Sequence, residues 1–591
     1  MLTVFYAKVY GVLKIVVKIF ISLFAGIGLL TGSTGIVKQM PPEKYFMQGD
    51  TSFVRQAAPT AHWTVGFAKA VTTPPDALSN AKNYYLAGYN NDTHPTDIMD
   101  NLYVRAMYID DNSGRGGVLF AVIDAIGLSN KEVLDIRAMV ADFAAQKNIK
   151  SVNVSCIHVH AGIDTLGLWG IPAQLKSGRN EQYNTYLKKL VAQTMINAYA
   201  NRKAGDLYWG DILPVHDVFN DTRVPLVYDK TITRIRFSPA GTENDRSDDL
   251  YLCCLNCHPE MMALTNTTIS ADFTAYMGRY IASHTGGTVK ADGTVQGGAD
   301  FILFNGAIGA LINGNGLGSI FDVIQNNIKL FEKPSGSSAT NIESIKNNME
   351  LIFGVTSTKV VTCLNSITTA DLDANGNLNL DKKTELRKAF TMTFGETIGR
   401  YICAIDNRTE HKIEPIINIR FNPITVLIQN TLLELGAKVG LIDVNVYDSG
   451  KNNLDTSVTS EVGYLELGNS LRILLAPGEL APELARGGFL PAAESANNYD
   501  MNVKTGFEII DPNSSASVQP QTSKNLVFGL MNDEIGYIIP DNDYYVNRFL
   551  PYLVSDNDRL GRGHYEEGVS TSPFTARLLL NEWQKIYDST H

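Results

Sequence analysis

Cysteine is scarce in this 591-residue chain: there are six, two of them adjacent at Cys253 and Cys254, and that usage carries no disulfide framework. Positive charge is also short. No long basic run appears beyond the first twenty residues, and 50 Lys+Arg against 61 Asp+Glu leave a formal charge of −11, which argues against nucleic acid as a main partner. Charged residues are only 19% while hydrophobic residues reach 44%, so the chain buries a large core and is neither a disordered acidic tail nor a collagen-like fibre. Internal repeats are absent. At roughly 150 residues per domain the length corresponds to about four domain equivalents, room for one large catalytic domain or two domains.

The first forty residues differ from the rest. Lys8, Lys14 and Lys18 punctuate an apolar stretch, and Ile19 to Val37 carries no charge. Nineteen uncharged residues at about 1.5 Å each approach the roughly 30 Å core of a bilayer, and the dense part, Ile19 to Leu30, suits a signal-peptide core; no A-x-A-like cleavage site follows. Residues 1–38 are therefore expected to be a signal anchor or signal peptide with its tether, through which the protein meets the membrane. Because the lysines precede the apolar run, the remainder is expected outside the cytoplasm, membrane-anchored or secreted. The alternative is a buried N-terminal helix, which Lys14 and Lys18 on one face make costly.

Beyond a Gly/Ser/Pro tether (Thr31 to Pro42), the globular part is expected from about residue 60 to 591. Gly117 to Ala125 reads as a buried strand, Lys131 to Gln146 as an amphipathic helix and Ser151 to His158 as the next strand, which together make a βαβ unit. Further strands are expected at Thr231 to Phe237, Leu250 to Asn256, Ile302 to Asn305, Leu441 to Tyr447, Arg472 to Ala476 and Asn525 to Leu530, with helices at Gln182 to Asn201, Asp272 to Ser283 and Lys383 to Ala404. The fold class is α/β, a mixed sheet core with flanking helices in one large domain. Residues 318 to 350 read as a polar excursion. Asp371, Asp373, Asn375 and Gly376 imitate an EF-hand loop, but its twelfth place holds Lys382, so a turn at Asn375-Gly376 is expected instead of a calcium site.

The segment richest in chemistry is Ser155 to Gly170. His158 and His160 stand two apart at the carboxyl end of an expected parallel strand, so an extended backbone points both imidazoles to one face, at the sheet edge where α/β proteins place ligands. Two such histidines are either metal ligands or hydrogen-bonded core residues. His258 ends a second apolar strand, and Pro259 after it biases it away from helical geometry. The cysteines beside it lack the second C-x-x-C of a zinc knuckle. Glu479 in Ala476-Pro477-Gly478-Glu479 follows a third strand. Asn532 to Tyr537 (NDEIGY) and His564 to Glu567 (HYEE) complete the set.

The order and spacing of HVHAG, NCHPE, APGE, NDEIGYIIP and HYEEG resemble the N-terminal catalytic domain of the neutral, non-lysosomal ceramidases. Val65 to Asp76, Leu86 to Tyr89 and Leu102 to Asp124 resemble that family's opening. The resemblance spans about residues 60 to 590. It implies Zn²⁺ held by His158, His258, Glu479 and Tyr537, with His160 beside it as a non-ligand histidine, Arg223 (in FNDTRVP) facing substrate and Tyr565 as a second active-site tyrosine, in a pocket that hydrolyses the amide bond of ceramide or another N-acyl lipid. His160 is then expected to pass a proton to the leaving amine, and Arg223 and Tyr565 to hydrogen-bond the developing oxyanion.

Three departures qualify that reading. Where the family has a Gly-Asp-Val-Ser-Pro motif carrying a serine with an assigned role, Phe304 to Asn313 reads FNGAIGALIN; Ser319 is the next serine, so water is the expected attacking group and Asn305 with the Gly306 to Gly309 backbone the expected pocket lining. Ala161 replaces the small polar residue after the second histidine. The family's C-terminal immunoglobulin-like domain has no counterpart before His591. The alternatives are a zinc hydrolase of the same fold acting on another amide or ester, and an envelope binding protein without turnover.

Overall fold

The computed structural model describes residues 50–591, apart from 217, 228, 243–244, 264, 311–312, 315–328, 334, 355–356, 449–455, 504–522 and 555. The N-terminal segment, Ser319 and part of the 318–350 excursion lie outside the described residues. Among the described residues no helix is long and apolar enough to cross a membrane.

Nine strands form the main sheet: β1 (Trp63–Val71), β2 (Tyr103–Asp110), β3 (Gly117–Ile123), β4 (Ile149–Cys156), β5 (Lys203–Ile212), β6 (Ile232–Pro239), β7 (Leu250–Leu255), β8 (Asp300–Asn305) and β9 (His411–Ile413). Their order is β8-β7-β6-β5-β1-β2-β3-β4, with β9 beside β5. The interior pairs are antiparallel, while β3–β4 and β7–β8, at opposite edges, are parallel. Helices cover both faces, which is why GVLFAVI in β3 is apolar at every position. Val118, Phe120 and Val122 join one core with α3 (Phe273–His284) and α6 (Leu380–Ala404); Leu119, Ala121 and Ile123 join another with α1 (Asn130–Gln146) and α2 (Glu181–Ala200). In α1, Val133, Ile136 and Val140 supply the buried stripe at helical spacing. Two further helices precede α6: α4 (Asn341–Phe353), which begins within the 318–350 excursion, and α5 (Thr358–Ser366), which lies beyond it.

A second, five-stranded sheet follows: β10 (Ile417–Ile428), β11 (Val446–Asp448), β12 (Thr456–Leu467), β13 (Leu471–Leu475) and, past a short parallel strand β14 (Glu479–Leu480), β15 (Lys524–Phe528). β14 pairs with β16 (Tyr537–Ile538). Helices α7 (Thr431–Lys438), α8 (Pro482–Arg486) and α9 (Thr575–Thr590) complete the domain, α9 burying Leu579, Leu580, Trp583 and Ile586 against β10 and β12.

The main sheet curls until its edges approach, and this creates the site. Phe120 on β3 meets Phe304 on β8 edge to face at 5.9 Å, and Asn305 Nδ2 at the end of β8 donates to Ile157 O just past β4 at 3.0 Å. Residues 529–532 fill the seam: Gly529 N donates to Asn305 O at 2.8 Å, Ser155 Oγ to Gly529 O at 3.0 Å and Asn532 N to Val154 O at 2.7 Å. The carboxyl ends of both parallel pairs therefore point into one place.

The expected β3-α1-β4 unit is present, and most expected strands and helices agree within a few residues. Two expectations are corrected. The fold is joined from residue 50, where Asp50 and Thr51 hydrogen-bond the backbone of Phe421 and Ile419. Leu441 to Asn445 is not strand; only Val446–Asp448 pairs, and the apolar alternation of LIDVNV instead faces a cavity. The turn expected at Asn375-Gly376 is present: Asp373 spends Oδ1 on the amides of Asn375 and Asn377, and Gly376 has φ 82°.

Candidate functional site

Past β4 the chain turns back on itself. Ile157 N donates to Ile123 O, and His158 N and Val159 N both donate to Ala125 O, at 3.0–3.2 Å. His158 has φ +64°, a conformation that costs a non-glycine residue about 1–3 kcal/mol. Its imidazole and that of His160 do meet, with ring centroids 5.0 Å apart, but strand alternation is not the cause: β4 ends at Cys156 and the turn sets both directions. His258 arrives from the loop after β7, which His160 N ties down by donating to Pro259 O at 3.0 Å.

Glu479 and Tyr537 are register partners in the β14–β16 ladder. That ladder requires glycine at 478: φ is +140°, and a Cβ there would lie 2.7 Å from Gly536 O. Upstream, Asn532 imitates a strand, its Oδ1 accepting from Val154 N at 2.8 Å. NDEIGY is thereby fixed at the end of β4.

Two imidazoles converge on one carboxylate oxygen. His258 Nε2 lies 2.9 Å and His158 Nε2 3.4 Å from Glu479 Oε2. Tetrahedral ligands on bonds of about 2.0 Å stand about 3.3 Å from one another, so these donors already have the spacing of a shared ion. His158 Nδ1 is used elsewhere, donating to Ile126 O at 2.7 Å, which leaves Nε2 as the lone pair. His258 Nδ1, both nitrogens of His160 and Glu534 Oε2 are buried without a partner of good geometry. Burial pushes His158 down to about 4 and lowers His160 and His258 as well, so all three rings are neutral donors; burial also raises the Glu479 carboxyl and the Tyr537 phenol. Neutral imidazoles beside a carboxylate and a phenol fit Zn²⁺.

These groups sit at one end of a cavity of about 730 Å³. His158, His160, Glu479, Tyr537 and Tyr565 line it, while His258 lies wholly buried beneath. Tyr565 stands at the mouth, half exposed, its ring 6.3 Å from that of Tyr537. Glu260 also lines it, receiving the Tyr89 hydroxyl at 3.1 Å and lying 3.9 Å from His160 Nδ1. Most of the remaining wall is apolar and includes Leu166, Trp169, Leu433, Ala437, Ile442 and Val444, with Asn130, Lys131, Asn445, Thr459 and Asp533 among its polar residues.

Arg223 is not among the lining residues. It is 7% exposed and its guanidinium is occupied by Glu566 at 2.8 Å, Glu567 at 3.1 Å and Asp543 at 3.3 Å, so it anchors the segment bearing Tyr565 and does not face the cavity. Arg562 bridges Asp543 and Asp558 in the same cluster at 2.6 and 2.7 Å, and His564 bonds Asp558 and Glu567; guanidinium groups stand where a cation would.

The expected pocket lining by the FNGAIG segment is also corrected. Asn305 is buried, its amide donating to Ile157 O and Cys257 O and accepting from Cys257 N, while Gly306, Ala307 and Gly309 spend their N–H groups on Leu255 O, Asn256 Oδ1 and Leu480 O. None lines the cavity. Motif reading did not give roles to Glu260 and Glu534, although each adjoins a residue it singled out; the apolar wall carried no motif at all.

The chain has the fold of the neutral ceramidase from Pseudomonas aeruginosa, at 12% identity and TM-score 0.56 over 90% of this chain and 75% of that one. A ceramidase complexed with C2 superposes at 11% identity and TM-score 0.55 over 89% and 75%. No protein-family model and no curated protein sequence matches the chain.

Proposed function

We propose that this protein is a zinc-dependent hydrolase of amide bonds in N-acyl lipids, with ceramide as the expected type of substrate. The observation that supports it is the union of a His158–His258–Glu479–Tyr537 donor set with a long apolar wall in one cavity. Zn²⁺ bound there would supply a Lewis acid for the amide carbonyl and lower the pKa of a water towards ~7. The apolar wall takes the acyl chain, and water is excluded as the chain fills it. His160, neutral at rest, takes the proton given up by the attacking water and passes it to the leaving amine, and the Tyr565 hydroxyl, at the mouth beside Tyr537, donates to the carbonyl oxygen as charge develops there. No serine lies between Phe301 and Ala310, so attack by water accounts for the reaction without an acyl-enzyme. We further propose an extracytoplasmic protein attached to the membrane through residues 1–38, on the lysine-flanked apolar run alone.

The test is a zinc-loaded chain given N-acyl amides of varied acyl length and head group. Release of fatty acid and amine, lost with a chelator and restored by zinc, is the expected result; a covalent acyl intermediate detected by mass spectrometry would refute attack by water. A zinc-loaded protein that binds these lipids and releases nothing would make it a binding protein on the same fold. Release from other amides or esters only would change the substrate class.

A further inference from the structure

Glu534 occupies a position that the surrounding chain is built to hold. Its Oε1 accepts from Gly536 N at 2.8 Å, Asp533 beside it accepts from Asn130 N, and Asn532 is locked to Val154. Space for its side chain exists because residue 127 is glycine: a Cβ there would lie 2.6 Å from Glu534 Cγ and 2.7 Å from Cβ. The side chain is 4% exposed, yet Oε2 has no hydrogen-bond partner. That oxygen lies 3.8 Å from His158 Nδ1, on the ring edge opposite the Nε2 that faces Glu479. Among the described residues no lysine or arginine pairs with Glu479 or Glu534. Two carboxylates therefore share a buried place with neutral imidazoles and no positive partner, an arrangement that is costly unless a cation joins it.

Charge counting shows what Glu534 adds. A divalent cation held by two neutral histidines, a neutral phenol and one carboxylate keeps a net charge of about +1, and burying that charge is unfavourable. We infer that Glu534 is a second carboxylate of this centre, a positioning residue whose charge lies beside the Nδ1 edge of His158, the Nδ1 proton itself going to Ile126 O, and balances the charge of a bound divalent cation without ligating it. The inference rests on the reading of the site as a metal centre. It concerns affinity for the ion, so it is separable from the substrate.

The experiment uses Zn²⁺ itself as probe, titrated into metal-free protein in competition with a chromogenic chelator, with thermal unfolding measured beside it. Glu534→Gln should weaken Zn²⁺ binding by about 10–100-fold. Its metal-free form should be at least as thermally stable as metal-free wild type, because no unpaired carboxylate is buried, while its gain in Tm on adding Zn²⁺ should be smaller. Gly127→Ala, which displaces the carboxylate without removing it, should also weaken binding. A merely structural role gives the opposite pattern, a metal-free variant of lower Tm with unchanged Zn²⁺ affinity, and that result overturns the inference. If wild type binds no zinc, the metal reading and this inference fall together. If affinities change as stated and no amide is cleaved, the inference stands and the substrate reading falls.

Discussion

Replacing Arg223 by methionine removes a guanidinium from three carboxylates, and the remaining contacts of each decide the cost. Asp543 keeps Arg562 at 2.6 Å and Ala496 N at 2.9 Å, and Glu567 keeps His564 at 2.9 Å. Glu566 Oε2 has Arg223 at 2.8 Å as its ion-pair partner and is 4% exposed, so the loss falls chiefly on it. One uncompensated buried carboxylate costs about 3–5 kcal/mol, a large part of a domain stability of about 5–15 kcal/mol. Urea unfolding followed by circular dichroism should read that difference. Burial already raises the Glu566 carboxyl, the Arg223 charge opposing it; without Arg223 the folded-state value rises further. A carboxyl whose folded value lies above its unfolded value loses stability as pH rises through the interval between them, so the deficit should be larger at about pH 8 than at about pH 5. Arg223→Lys should cost less, since it keeps the charge but not the fork. A loss below about 1 kcal/mol at every pH would refute the buried-clamp account. Unchanged stability with impaired hydrolysis would return Arg223 to the substrate.

Elemental analysis should find one zinc per chain, and His258→Ala or Glu479→Ala should each abolish it; full occupancy in both variants would overturn the donor set. His160→Ala should lower turnover by about two to four orders of magnitude while zinc content holds, as expected of a proton-transfer residue; turnover near wild type would remove it from the reaction. Ala437→Phe, which fills part of the apolar wall, should shorten the longest acyl chain released and leave short-chain turnover intact, and an unchanged chain-length profile would place the acyl group elsewhere. Asp272 caps α3 and accepts from Phe273 N and Met262 N, and burial pushes its carboxyl up to about 7. Only the folded state holds that proton between the unfolded value and about 7, so stability from this group falls as pH rises across the window. Asp272→Asn replaces one of the two acceptors and is less stable throughout, but its stability relative to wild type should improve by about 2–4 kcal/mol from about pH 5 to about pH 8; parallel profiles would show that Asp272 is ionised in the fold.

Much of the site could be read before any coordinates. Histidine, glutamate and tyrosine stand next to strand ends, and Pro259, Pro477 and Gly478 mark where those strands stop. Runs such as GVLFAVI and LYLCCL are apolar throughout because both faces of the sheet are covered, and that pattern is local. β12 was not legible in this way: TSVTSEVGYLEL is buried at every position, but its Glu461 and Glu466 are neutralised by Arg137 and Arg55 from distant segments. A hydropathy reading cannot see those partners, since they are 324 and 411 residues away in the chain.

Local order of residue types by itself determined the βαβ unit, the mixed α/β class and the group of side chains suited to a metal, because each follows from neighbours within a few positions. Tertiary structure alone decided which of them meet. The curl of the main sheet carries β4 and β8 from opposite edges to one seam, and residues 529–532 fix Tyr537 there. A turn with positive φ aims His158, where an extended strand was expected to. Arg223 makes the contrast plainest: its motif suggested a substrate contact, but carboxylates 320 to 344 residues further along the chain enclose it, and its charge is paired in the interior, away from the residues that line the cavity.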